Sequence, residues 1–226
     1  MRTRWQAGEA VADGPPAEWS AVPNVFVGYD RSRGGHVAVA IDASSGAAEI
    51  EPLDWFDDRY DHGYQQPITV TRVPDTDHWL FSVQRSSDLI LYDPATRRVI
   101  RMISLAGRGG NPAPVVRRTV REVWATDYDT LVRVEPVTWT IIDQRRLQGA
   151  GSGSSLFLGE LAFDTGERRC AIARPFSGDV LVIDAETWQR VARIALPGQP
   201  LDVALLSDGR VVARDWTSGA VATGSI

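Results

Sequence analysis

Asp57, Asp58, Asp61 and His62 fall together in the stretch from Asp54 to Pro67. Carboxylate oxygens and an imidazole at such close spacing suit a divalent cation. Tyr60 and Tyr64 interleave with them and offer ring faces to a ligand or a protein. The plainer reading is that Asp57, Asp58 and Asp61 are solvated loop charges balanced by Arg59. Arg85 and Trp216, from turns elsewhere in the chain, are the remaining candidate contacts.

Other chemistry-bearing residues point to structure. An acid followed three residues later by a hydroxyl occurs at Asp42 and Ser45, Asp93 and Thr96, Glu135 and Thr138, and Asp184 and Thr187. Such a carboxylate accepts backbone N–H bonds two or three residues on, and the hydroxyl closes the turn. These acids are therefore turn formers first. His36 and His78 stand beside expected strands and read as surface or turn residues. Neither belongs to a Ser/His/Asp order or a His-x-x-x-His spacing. Cys170 opens an expected strand and reads as a small buried hydrophobe rather than a nucleophile. A single cysteine excludes an internal disulfide and a thiolate zinc cluster.

Composition narrows the functions further. The net charge is −5 and no basic block is present, which disfavours nucleic acid. The 24 cationic residues are all arginine. Without lysine there is no Schiff-base chemistry and no Walker-type phosphate loop. The Gly/Ser run from Gln148 to Ser155 lacks Gly-x-Gly-x-x-Gly and precedes a strand, so it does not cradle phosphate. No apolar run reaches the ~18 residues of a membrane span. Met1 to Gly14 has no apolar leader core, so a native N-terminus implies a cytoplasmic protein. The expected partner is a protein or a small molecule, with no nucleic acid and no membrane. No cofactor is evident, though the acidic stretch leaves room for a divalent metal.

The elements that would position these residues are short β-rich runs between Gly, Pro and Asp turns. Each acid-x-x-hydroxyl turn follows one such run: Val37 to Ile41, Leu89 to Tyr92, Leu131 to Val134 and Val180 to Ile183. A further strand follows each turn. The acids recur at intervals of 51, 42 and 49 residues. Four strands per ~40–50 residues is the signature of a propeller blade. Between Glu122 to Thr126 and the preceding Val115 to Val120 no clear turn is visible.

Gly198, Pro200, Val203, Ser207, Asp208, Gly209 and Val212 carry a resemblance to the YVTN and NHL group of β-propellers and, more loosely, to WD-repeat propellers. The pattern is a Pro, a Val, an Asp-Gly turn and a second Val. Leu206-Ser207 stands where that group has Ser-Pro. The resemblance implies an all-β propeller of about five four-stranded blades, one domain over residues 1–226 or part of a longer ring. The loops between blades and the second hairpin of each blade then share one face. That face collects 54–67, 31–35, 85–88, Arg108, 127–129, Phe176, Asp179, Asp215 and Trp216. The ring is expected to close by pairing Arg2 to Gln6 with Ala220 to Ile226. Two functions fit: a binding or scaffold propeller, or a gluconolactonase-type hydrolase with metal in the channel. The enzyme needs several inward acids with an Asn or His, and the chain has only Asn24 and Asn111.

Overall fold

The structure is a computed structural model and describes residues 24–41, 45–58, 67–73, 75–105, 113–147 and 158–226. It is nearly all β, in five antiparallel sheets. The first holds β1 (Asn24–Asp30), β2 (Gly35–Ile41) and β3 (Ala48–Pro52). The second holds β4 (Pro67–Arg72), β5 (Trp79–Val83), β6 (Asp88–Asp93) and β7 (Arg98–Ser104). The third holds β8 (Ala113–Arg117), β9 (Glu122–Asp127), β10 (Thr130–Glu135) and β11 (Thr140–Arg146). The fourth holds β12 (Leu161–Phe163), β13 (Arg169–Arg174), β14 (Asp179–Asp184) and β15 (Arg190–Ala195). The fifth holds β16 (Pro200–Leu205), β17 (Arg210–Asp215) and β18 (Val221–Ser225). Among the described residues the helices are one turn, α1 (Asp54–Asp57), and a 3-10 turn at Pro175–Ser177.

Each sheet is a simple meander, and the inner strands touch in series, β4 to β8, β8 to β12 and β12 to β16. The sheets are therefore blades set around an axis. The hydrophobic core lies between blades. One cluster joins Ala38, Leu53 and Phe56 of blade one to Phe81 and Tyr92 of blade two, and like clusters join two to three, three to four and four to five. A middle strand is thus covered on both faces, which is why β5 is buried at every position and reads as a continuous apolar run. The fourth strands have one covered face at most, and β11 is mostly exposed. Each fully buried Leu or Phe, such as Leu131 or Phe81, contributes about 1.5–3 kcal/mol.

The acid-x-x-hydroxyl turns join the third and fourth strands of blades two, three and four. Thr96 Oγ1 donates to Asp93 Oδ2 at 2.6 Å, Thr138 Oγ1 to Glu135 Oε2 at 2.6 Å, and Thr187 Oγ1 to Asp184 Oδ1 at 2.9 Å. The residue after each hydroxyl, Arg97, Trp139 and Trp188, is left-handed, and Gly46 holds that place in blade one. Asp42 lies outside the described residues. These turns make β2 and β3 the third and fourth strands of blade one, and β1 the second. The Ser207-Asp208-Gly209 turn joins β16 to β17, with Gly209 at φ +85°.

Two readings of the sequence are revised. The connection that begins at Asp54 opens with the helical turn α1 rather than with loop. The turn between β8 and β9, invisible in sequence, is at residues 118–121. There Arg121 takes φ +54°, and Glu167 of the next blade accepts the backbone N–H groups of Arg118 and Thr119 at 2.9 and 2.7 Å.

Candidate functional site

In a meander blade the turn between strands two and three and the connection leaving strand four lie at the same end. Hydrogen bonds bind the two together in four blades. The N–H groups of Leu53, Leu105, Leu147 and Leu196 donate to the carbonyls of His36, Ser87, Asp129 and Gly178, at 2.8 to 3.0 Å. One face of the ring is thus built from these turns and connections, as the sequence implied.

At blade one this face carries His36 and Asp57. His36 is only 5% exposed, so it is a core residue and not the surface histidine expected. Its Nδ1 lies 2.6 Å from Asp57 Oδ1, its backbone N–H donates to Asp57 Oδ2 at 2.9 Å, and its ring meets Tyr29 and Phe56 edge-on. A cleft of 370 Å³ opens beside the pair, between Arg33, Pro52 and Asp54. Asp57 is therefore neither a solvated loop charge nor an uncommitted metal ligand. Asp58 closes α1, its N–H donating to the Asp54 carbonyl at 2.9 Å. Tyr60, Asp61, His62 and Tyr64 lie outside the described residues.

Arg85 sits in the left-handed turn between β5 and β6, in blade two. From the same turn Ser87 Oγ donates to the buried Asp127 Oδ1 of blade three at 3.0 Å. The other acids of this face are held by arginine or backbone. Arg146 pairs with Asp129, and Arg214 with Asp202. Arg174 grips Asp179 with Nε and Nη2 at 2.6 and 2.8 Å, and Arg193 adds a second guanidinium. Asp215 accepts the backbone N–H of Gln199, that of Ser218 at 2.6 Å and the hydroxyls of Ser218 and Thr217 at 2.7 and 2.8 Å, and these hold its carboxyl well below the usual carboxylate range. Among the described residues no three acidic, imidazole or thiol groups converge as a metal site. Asp129, Asp179, Asp202 and Asp215 are already committed to guanidinium or amide groups, which leaves them poorly suited to a channel cation. The sequence signal for the strongest of these pairs was present: Arg174 and Asp179 bracket one tight hairpin and are cross-strand neighbours.

Trp216 belongs to the turn between β17 and β18, where its N–H donates to the Gln199 carbonyl at 2.8 Å. Its ring meets Phe176 of blade four edge-on, with centroids 6.1 Å apart. Phe176 is 46% and Trp216 39% exposed. The structure thus joins Trp216 to Phe176. It places Asp57 and Asp58 at blade one and Arg85 at blade two. Cys170 is fully buried, and burial pushes its thiol up, away from thiolate chemistry.

No family model and no curated protein matches the chain in sequence. Solved structures do match. The β-propeller domain of Myceliophteria thermophila Cps50 (Swd1) is similar at 12% identity and a TM-score of 0.62, over 89% of this chain and 67% of that one. U3-55K is similar at 12% identity and 0.62, over 94% and 65%. Virginiamycin B lyase from Staphylococcus aureus is similar at 10% identity and 0.57, over 92% and 71%. The chain spans about two thirds of the length of these proteins. At such identities the likeness is one of fold, and the narrower YVTN and NHL likeness rests on the sequence motif around Gly198 to Val212. No helix of the described residues is long and apolar enough to cross a membrane. The chain has the β-propeller fold, of the kind seen in WD-repeat domains, with five blades among its described residues.

Proposed function

We propose that the chain is a protein-binding propeller whose partner docks on the face built from the second hairpins and the connections between blades. The observation that carries this reading is the Phe176–Trp216 pair, two large rings exposed side by side on adjacent blades. Exposed aromatics set on a rigid base are the residue types that dominate interface energies. The base is rigid here because Arg174, Asp179, Arg193 and Asp215 lock the two turns from below. Arg85, Asp57 and Asp58 line the same face, and the proposed footprint extends to Tyr60, Asp61, His62 and Tyr64. WD-repeat structures among the matches fit a scaffold role by analogy of fold. The hydrolase alternative has less support, since Asp129, Asp179, Asp202 and Asp215 of this face are already held by arginine or amide groups.

The test is affinity purification from the native cell with the wild-type chain and with Phe176→Ala/Trp216→Ala, both checked for unchanged melting. A partner held by the wild type and lost from the variant supports the reading. A partner retained by the variant and lost on deleting 58–63 moves the site to the acidic connection. Retention by both removes this face as the interface.

A further inference from the structure

The junctions between blades two and three and between three and four share one turn design, and they differ in what packs beside it. Trp139 and Trp188 occupy the same left-handed position after an acid-x-x-hydroxyl turn, at φ +57° and +59°. Each donates its backbone N–H to the acid's carbonyl, at 2.7 and 2.9 Å. Each turn is reached by an arginine of the preceding blade: Arg101 Nη1 donates to the Thr138 carbonyl at 2.7 Å, and Arg145 Nη1 to the Thr187 carbonyl at 3.4 Å.

At the junction of blades three and four the space beside Trp188 is filled. Trp124 stands 5.1 Å from it, and Arg133 lies 5.7 and 5.8 Å over the Trp124 and Trp188 rings. Strand register puts Leu80 where Trp124 stands and Leu91 where Arg133 stands, since Leu80 pairs with Leu91 as Trp124 pairs with Arg133, and it puts Val73 where Arg117 stands. Two leucines and a valine fill less space than a tryptophan and two arginines. The residue is a groove of 520 Å³ over Trp139, walled by Val73, Leu91, Ile100 and Val137. That volume is within the range of about 300–1,000 Å³ found for ligand sites. The rim is apolar and open: Ile100 is 48% and Val137 83% exposed.

Charge selects the occupant. The described lining contributes Arg101 and His78 and no carboxylate. The acids of the adjoining turn, Asp75 and Asp77, are paired with Arg121 and Arg72. A second arginine, which the neighbouring junction stacks between its rings against Glu122, would have no such acid here. We propose that this groove docks a short segment of a partner protein, which inserts one aromatic or leucine side chain above Trp139 and sets an adjacent carboxylate against Arg101. The site lies at the turn joining strands three and four, at the end of the blades opposite the Phe176–Trp216 pair, and is independent of it.

The experiment is selection of phage-displayed random dodecapeptides on the immobilised full chain, followed by binding of the synthetic winners to variants with unchanged melting. The expected winners carry an aromatic residue or Leu beside Asp or Glu. They bind Ile100→Asp/Val137→Asp and Arg101→Glu about tenfold or more weaker, and Trp216→Ala unchanged. Winners that are basic, winners that bind the groove variants equally, or no enrichment above blank beads overturn the proposal. So does light scattering that shows a dimer which the Ile100→Asp/Val137→Asp change dissolves, since the groove's occupant is then a second copy.

Discussion

The Asp57 carboxylate holds His36 at two atoms, the ring Nδ1 at 2.6 Å and the backbone nitrogen at 2.9 Å. The contact pins α1 to β2 across 21 residues of chain and places the imidazole proton on Nδ1. Removing one partner leaves a buried donor without its acceptor, which costs about 1–3 kcal/mol. Asp57→Ala is therefore expected to lower the unfolding free energy by that amount, and the urea midpoint with it. Gly35→Ala should act in the same direction, because its new Cβ would stand 2.7 Å from Asp57 Oδ2. An unchanged midpoint in both variants would show that the pair contributes nothing to folding.

The acid-x-x-hydroxyl turns predict the acid limb of stability. Hydrogen bonds from the Thr96 and Thr138 hydroxyls hold Asp93 and Glu135 below the usual carboxylate range, and the Thr187 N–H together with its hydroxyl does the same for Asp184. Each group's folded value is depressed, so the unfolded chain binds more protons in acid. The stabilisation is present above the ordinary carboxylate pKa of about 4 and is lost as pH falls through the folded values. Replacing Thr96, Thr138 and Thr187 by Val should flatten the fall of the urea midpoint below about pH 4. A triple variant with the wild-type acid limb would rule these turns out as its source.

The turns were legible because each is made by residues three apart, bonding to their own backbone. The continuous apolar runs of β5, β9 and β14 were legible as strands because both faces of a middle strand are covered. What escaped depends on partners distant in sequence. His36 reads as a turn residue until Asp57 is folded back onto it. The turn at 118–121 has no glycine, and Glu167, nearly fifty residues on, caps it. The groove over Trp139 has no signal of its own. It opens where Val73, Leu80 and Leu91 stand in place of the next junction's Arg117, Trp124 and Arg133. The Phe176–Trp216 pair is intermediate: the propeller resemblance put both rings on the loop face, and only the fold shows that they touch.

Arg174 and Asp179 form the most buried ion pair of the loop face, 4% and 0% exposed at the side chain. Two parallel N–H bonds and a second guanidinium, Arg193, neutralise the aspartate. Truncating Arg174 leaves the buried Asp179 to Arg193 alone, which costs up to the roughly 3–5 kcal/mol of breaking a buried pair. Arg174→Ala is expected to lose up to that much in a denaturant titration. Arg174→Lys should recover only part of it, because an ammonium cannot supply the planar fork. Full recovery by lysine would mean that the site needs charge and not geometry.

The last prediction concerns how the ring is completed. Blade five ends at its third strand, β18, and blade one begins at its second, β1, among the described residues. β1 meets β4 as β13 meets β16, which is the contact a second strand makes with the next blade's first. One inner and one outer strand therefore remain to be supplied. An uncovered β18 would present a row of unpaired N–H and C=O groups, an invitation to self-association. Residues 1–23 lie outside the described part, and Arg2 to Gln6 is the segment expected to supply the outer strand. Deleting residues 1–10 should expose the amides of Val221 to Ser225 to hydrogen exchange. It should also cost several kcal/mol of the roughly 5–15 kcal/mol that a domain has, and promote oligomers. Protection of those amides that survives the deletion, with stability and monomer state unchanged, would rule out closure by this segment and leave a longer ring as the account.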